Sequence, residues 1–249
     1  MAASPMSYSE LPSPDELRPW IHSFWLFKVE EGAGEIDHRI PLTGGGFITA
    51  SAGTDPVFIG PRTAPLSTLV RGGDQFWGVN FFPGGARPFF RLEAGSHRDA
   101  TLPLRILGAE CAPAGDADGG LSALGEMIVR LAPDADQPDR AVQAAVAEII
   151  ASRGSARISP LARQSGLSPR HFRRRFKDET GLSPKELARV RRVRAAASSA
   201  LGGREWVDVA SDGGFSDQPH LAREFQSLLG AGPEVFRRHA LRIRHELLP

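Results

Sequence analysis

The sequence predicts an α+β protein: a β-rich domain over residues 1–100, a helical connector over 101–139 and an all-α domain over 140–249. Three observations carry this. Short aromatic and β-branched runs fill the first hundred residues. From Arg140 onward almost every segment fits short helices broken by Gly, Ser and Pro. The third is charge: residues 1–139 hold 10 Lys/Arg against 18 Asp/Glu, and residues 140–249 hold 20 against 11. A net charge of +1 therefore hides an acidic half and a basic half. One half meets a polyanion, or the two halves attract each other.

The β-rich part reads from H-S-F-W-L-F-K-V, G-G-F-I-T-A, P-V-F-I-G and F-W-G-V-N-F-F, spaced for a sandwich or barrel. Turn signals lie at Pro41–Gly46 and at Pro83-Gly84-Gly85. After Pro88 the texture changes. Residues 102–109 and 120–132 have helical spacing, with a Gly/Ala/Asp-rich loop at 112–119 between them, and P-D-A-D-Q-P-D at 133–139 is the domain boundary. No apolar run approaches the roughly 20 residues that span a bilayer, and M-A-A-S-P-M-S-Y-S-E lacks the order of a secretory signal. Cys111 is the one cysteine, so neither a disulfide nor a thiolate-rich metal site is expected. The expected location is cytoplasmic.

The all-α part contains an internal repeat. Residues 161–187 resemble residues 209–236: Ala162, Gly166 and Ser168 recur 48 positions later as Ala210, Gly214 and Ser216. Phe176, Gly181, Pro184 and Leu187 recur 49 later as Phe225, Gly230, Pro233 and Phe236. Two copies are too few for a solenoid and read as two similar supersecondary units. In each, a short helix (Ser159–Gln164; Trp206–Asp212) ends at a glycine able to take the left-handed backbone. Leu167 or Phe215 then plugs the angle, Ser168 or Ser216 caps the next helix, and Pro169 suits its first position. Helix, glycine turn, helix is the helix-turn-helix pattern.

Helical phase shows what each second helix offers. With Arg170 at 0°, Arg173, Arg174 and Lys177 fall within about 60° of it, while Phe172 and Phe176 point inward. In the second copy Leu221, Ala222, Phe225, Leu228 and Leu229 form the apolar stripe. Pro219, His220, Arg223 and Gln226 lie opposite, with Gln218 at the exposed end. Arg, Gln and His can all address base edges. Ser216, Asp217 and His220 also invite a catalytic reading, but nothing in the sequence supplies an oxyanion site or an oriented triad, and a carboxylate in a first turn suits capping. Between the copies, S-P-K-E-L-A-R-V-R-R-V-R-A-A-A-S-S-A-L (183–201) predicts a rigid joining helix whose Lys185, Arg189, Arg191, Arg192 and Arg194 are available to phosphate.

Over roughly residues 145–240 the chain resembles the DNA-binding domain of the AraC/XylS family of transcriptional regulators. The paired motifs, the joining helix, G-F-S-D-Q-P-H-L-A-R-E-F and G-P-E-V-F-R-R carry the resemblance. It implies base contacts from Arg170, Arg173, Arg174, Gln218, His220 and Arg223, and phosphate contacts from Ser168, Lys177, Lys185, Arg192, Ser216 and Arg237. Gly213 stands where the family favours Cys or Tyr, Gly232 where Ser or Thr precedes the proline, and Gln226 where Lys is usual. These departures predict a second reader weaker than the arginine-rich first. R-P-W-I-H-S-F-W, R-I-P-L-T-G-G-G-F-I and F-W-G-V-N-F-F-P-G-G-A-R-P-F-F resemble, more loosely, a cupin-like domain found before this reader in part of the family. P-L-T-G-G-G departs there from the usual Pro-Asp-Gly.

The partner that the resemblance implies is promoter or operator DNA. A small-molecule effector in the N-terminal domain, a contact with RNA polymerase and a homodimer are further expectations, and no membrane is expected. Two readings from other classes stand beside it: a cupin-type metalloenzyme with an accessory nucleic-acid-binding domain, and a non-specific nucleic-acid scaffold. Against the first, His22, His38 and His97 form no H-x-H pair, so no metal, cofactor or catalysis is expected. Trp20, Trp25 and Trp77 with Phe47 and Phe81 read as core, or as the walls of an apolar pocket. Cys111 has no basic neighbour in sequence that would make it a reactive thiol.

Overall fold

The computed structural model describes residues 4–40, 42–90, 92, 97–132 and 139–247, the last four by backbone alone. The N-terminal half contributes β1 (Met6–Pro12), β2 (Ile21–Val29), β3 (Glu35–Ile40), β4 (Phe47–Ser51), β5 (Val57–Ile59), β6 (Leu66–Arg71), β7 (Gln75–Phe81) and β8 (Thr101–Pro103). The last described element is β9 (Ile243–Leu247). The larger sheet has the order β8-β5-β4-β7-β2-β1-β9, and β3 pairs with β6 as a separate ribbon. Alternation along β2 explains why both faces are covered. Trp25, Phe27 and Val29 face the ribbon, meeting Ile36 and Val70. Phe24 and Leu26 face the other way, into a core with Ile48, Trp77 and Val79.

That second face is closed by α1 (Ala117–Leu131) through Leu124, Met127 and Ile128. Gly120 lets the helix come this close, since a Cβ there would lie 1.9 Å from Trp77 Nε1. The helical reading of residues 102–109 is corrected. Residues 101–103 pair with β5, and Leu104–Leu107 make one 3-10 turn that ends at left-handed Gly108. The spacing that suggested a helix reflects burial of Leu104 and Leu107 in the sheet's core. The loop expected at 112–119 is shorter, because Asp116 caps α1 by accepting from Gly119 N–H at 2.8 Å. Of the boundary segment 133–139 only Asp139 is described, as is the turn at Pro41–Gly46 without Pro41.

The C-terminal half folds as α2 (Arg140–Ala151), α3 (Ile158–Gln164), α4 (Pro169–Thr180), α5 (Pro184–Leu201), α6 (Trp206–Asp212), α7 (Gln218–Leu229) and α8 (Pro233–Ala240). Each repeat copy builds its own core. Val142, Ile149, Leu161, Phe172 and Phe176 form one; Trp206, Val209, Phe215, Leu221 and Phe225 form the other. Helix α5 belongs to both, giving Leu187 and Ala188 to the first and Val193, Ala196 and Ala200 to the second. Ser183 and Glu186 close a reciprocal capping box at its start. After α8 the chain leaves the helices and β9 adds to β1 in parallel, Met6 opposite Ile243 and Glu10 opposite Leu247. This strand has no precursor in the all-α expectation.

The seam between the halves holds two histidines. His38 stacks on Phe27 at 4.4 Å and faces His239 at 5.5 Å. Burial, then the neighbouring His239, pushes His38 down to about 4, with Asp37 opposing. Burial, Arg242 and Arg39 also lower His239, again against Asp37. The unfolded chain takes up these protons near pH 6.5. The stability held in neutral His38 is therefore complete above that pH and is lost as pH falls toward 4. His38→Leu is expected to remove about 2 kcal/mol of the stability difference between pH 7.5 and pH 5. Urea titrations at both pH values check this; an unchanged difference would exclude His38 as its source.

Candidate nucleic-acid interface

In the first copy the turn residue Gly166 has φ 68°, and Leu167 packs against the core. Ser168 accepts from His171 N–H at 3.4 Å, and Pro169 starts α4. This phase sends Phe172 and Phe176 inward, at 1% and 0% exposure. Arg170, Arg173, Arg174 and Lys177 are exposed. Among the described residues none of these four has an ion-pair partner, whereas Arg175 is held by the Asp139 carboxylate. Asp139 also caps α2, accepting from Ala141 and Val142 N–H. One face of α4 is thus free cation and the other is core.

In the second copy Gly214 has φ 70° and Phe215 is the buried plug. Asp217, not Ser216, is the N-cap of α7, accepting from His220 N–H at 2.5 Å. The residue inserted in this copy moves the helix start on by one, so the serine expected as cap lies just outside it. Ser216 is exposed, and its N–H and Oγ each lie 3.2 Å from His220 Nδ1. The imidazole also meets Phe215 edge-on at 5.6 Å. Accepting at Nδ1 leaves Nε2–H as the donor of a neutral His220. Because Asp217 binds the His220 backbone rather than its ring, the three residues do not form a relay. Gln218 and Arg223 are exposed, with Arg223 Nη2 4.0 Å from Asp217.

The cations of α5 divide. Lys185 is exposed. Arg189 instead grips Glu224 through two hydrogen bonds of 2.7 and 3.0 Å, and Arg194 Nη1 donates to Leu42 O at 3.3 Å. Both therefore depart from the expected phosphate role: α5 is the shared spine, and its long side chains hold neighbouring elements. Arg192 and Arg237, expected at phosphate, also have partners within the chain. Arg192 donates to Gly214 O at 3.4 Å and lies over Phe215 at 6.0 Å. Arg237 binds Glu234 at 2.9 Å and covers Trp206 at 5.7 Å.

The aromatics of the N-terminal half are core. Trp25 and Phe47 lie on one face of the sheet and Trp20, Trp77 and Phe81 on the other, so they line no common pocket. Among the described residues no group of three or more His, Cys, Asp or Glu is placed to hold a metal, and no helix is long and apolar enough to cross a membrane. Burial raises the Cys111 thiol above its ordinary value despite Arg130 nearby. Sequence reasoning missed Arg39, Arg87 and Arg98, which tie the N-terminal half to Gly230, Glu179 and Glu186. A signal for one was present: Glu179 lies on the inward face of α4, where a buried acid needs a partner.

Residues 161–239 match the family described as a helix-turn-helix domain, and residues 9–103 match a domain of unknown function, DUF6597. The HTH-type transcriptional regulator Rv1931c of Mycobacterium tuberculosis is 33% identical over 86 residues, 34% of this chain and 33% of the relative. The chain thus spans about a third of the curated relative it matches. Among solved structures, the C-terminal domain of AraT, a response regulator from Geobacillus stearothermophilus, is 21% identical, covering 46% of this chain and 92% of that one at a TM-score of 0.38. The DNA-binding domain of AdpA, a global transcriptional factor solved with a target DNA, is 26% identical over 40% and 92%, at 0.36. ToxT from Vibrio cholerae O395, bound to a naphthalenyl-butenoic acid, is 10% identical over 94% and 98%, at 0.45. The match to the helix-turn-helix domain family spans α3 to α8, the helices that carry both repeat copies.

Proposed function

We propose that this chain is a sequence-specific DNA-binding transcription regulator that reads two adjacent major-groove segments with α4 and α7. The observation that carries the reading is the exposed face of α4. Arg170, Arg173, Arg174 and Lys177 share it without an ion-pair partner among the described residues, on the second helix of a matched helix-turn-helix domain. Arg170, Arg173 and Arg174 address base edges there, and Gln218, His220 and Arg223 do so from α7. Ser168, Lys177, Lys185 and Ser216 serve phosphate. Arg192 and Arg237 reach it only by giving up their partners inside the chain.

In this reading residues 140–249 are the reader, 101–139 the connector and 1–100 the domain that modulates it. The partners it admits are a small-molecule effector, RNA polymerase and a second copy, and the place of action is the cytoplasm. Selection of bound duplexes from a random pool is expected to return two boxes about one helical turn, ~34 Å, apart. A pool that enriches for no sequence overturns the reading. Lys177→Ala is expected to weaken selected and random duplexes alike and to lower the salt slope by about 1. A loss confined to the selected duplex would move Lys177 to base readout.

A further inference from the structure

The two repeat copies meet the N-terminal half in the same way. Gly181 ends α4 and Gly230 ends α7, at equivalent repeat positions, with φ 76° and 68°. Each is covered by a proline. A Cβ on Gly181 would lie 2.8 Å from Pro61 Cγ and 2.9 Å from His97 Nε2; one on Gly230 would lie 3.0 Å from Pro65 Cβ and 2.9 Å from Arg39 Nη1. Pro61 and Pro65 bound a single loop, P-R-T-A-P. Four residue steps reach at most about 14 Å, so the two helix ends cannot separate while both touch it.

The loop is braced from behind. Thr63 N–H and Oγ1–H donate to the Asp99 carboxylate at 2.8 and 2.9 Å, and Arg98 Nη2 donates to Thr63 Oγ1 at 3.1 Å. Burial alone would raise Asp99, but these hydrogen bonds and Arg98 hold its carboxyl below the usual range. Polar ties run to both copies. Arg39 Nη1 donates to Gly230 O at 2.6 Å. Arg87 meets Glu179 at 2.5 Å, and Arg98 meets Glu186 at 2.9 Å.

We infer that the Pro61–Pro65 loop, with Arg39 and His97, is a bracket that fixes the relative placement of the two reading helices. Arg39, Pro61, Pro65 and His97 are positioning residues. They hold the ends of α4 and α7 remote from the first turns that carry Arg170 and Gln218. The consequence for DNA rests on the function proposed above: once one helix is seated, the other is already placed, and the second box is bound at high effective concentration. The geometry itself belongs to the protein without DNA.

The test uses the full chain carrying Cys111→Ser, with spin labels at His171→Cys on α4 and Gln226→Cys on α7. Pulsed electron resonance without DNA is expected to give one narrow distance distribution. Arg39→Ala with Pro65→Gly is expected to broaden it, with helical circular dichroism retained. Should that pair fail to fold, Thr63→Val, which loosens the loop without touching either helix, is expected to broaden it in the same sense. An unchanged distribution in a folded variant overturns the bracket. In parallel, affinity for a two-box duplex from the selection is expected to fall roughly 10- to 100-fold while a one-box duplex is unaffected; equal losses on both also overturn it. If the distribution broadens but even the unsubstituted chain shows no sequence preference, the bracket stands and the DNA reading falls.

Discussion

Replacing Arg170, Arg173 and Arg174 together with alanine is expected to abolish sequence-specific DNA binding while leaving the fold intact. Each arginine that pairs bidentately with guanine discriminates by about 1–3 kcal/mol, so losing three removes roughly a hundredfold or more in affinity for a selected duplex. Arg174→Ala alone should cost about 1–3 kcal/mol there and less on random DNA. The fold should survive because all three side chains are exposed and the helix is anchored elsewhere, by Ser168 at its start and by Phe172 and Phe176 beneath it. Exposed substitutions of this kind usually change stability by no more than about 0.5 kcal/mol. Fluorescence anisotropy with selected and random duplexes, beside a thermal melt, measures both sides. An equal loss on the two DNAs would reassign the arginines to phosphate.

Phe176→Ala should do the reverse, destroying the reader by unfolding it. Phe176 is 0% exposed, 5.9 Å from Phe172, in the core that α2, α3 and α5 share. Deleting a buried phenyl ring costs about 3–5 kcal/mol, a large part of the 5–15 kcal/mol that holds a typical domain together. Phe225, its repeat counterpart, is equally buried and lies 5.4 Å from Trp206. Phe225→Ala can therefore be followed by tryptophan fluorescence in urea. A midpoint unchanged in Phe176→Ala would mean that the first copy does not depend on its own core.

The C-terminal helices were legible because two independent patterns coincide there. The glycine turn at Gly166 recurs at Gly214, and the inward phenylalanines alternate with exposed cations at helical period. What escaped notice depends on contacts between segments far apart in sequence. The pairings of Arg39 with Gly230 and Arg194 with Leu42 join residues 191 and 152 positions apart, and local periodicity carries no trace of such partners. For the same reason the cations of the joining helix read as available to phosphate: nothing local shows that Arg189 is claimed by Glu224. Leu104 and Leu107 misled in another way, since burial against a sheet and an amphipathic helix can share one spacing. In the second copy one inserted residue moved the cap from Ser216 to Asp217, because both residue types cap well.

A regulator of the proposed kind must distinguish one DNA sequence from others. Competition binding at fixed salt, with a duplex recovered by selection against random duplex, measures that directly. A preference of at least about 10³ is expected, whereas equal affinities would mean that the two helices read no sequence.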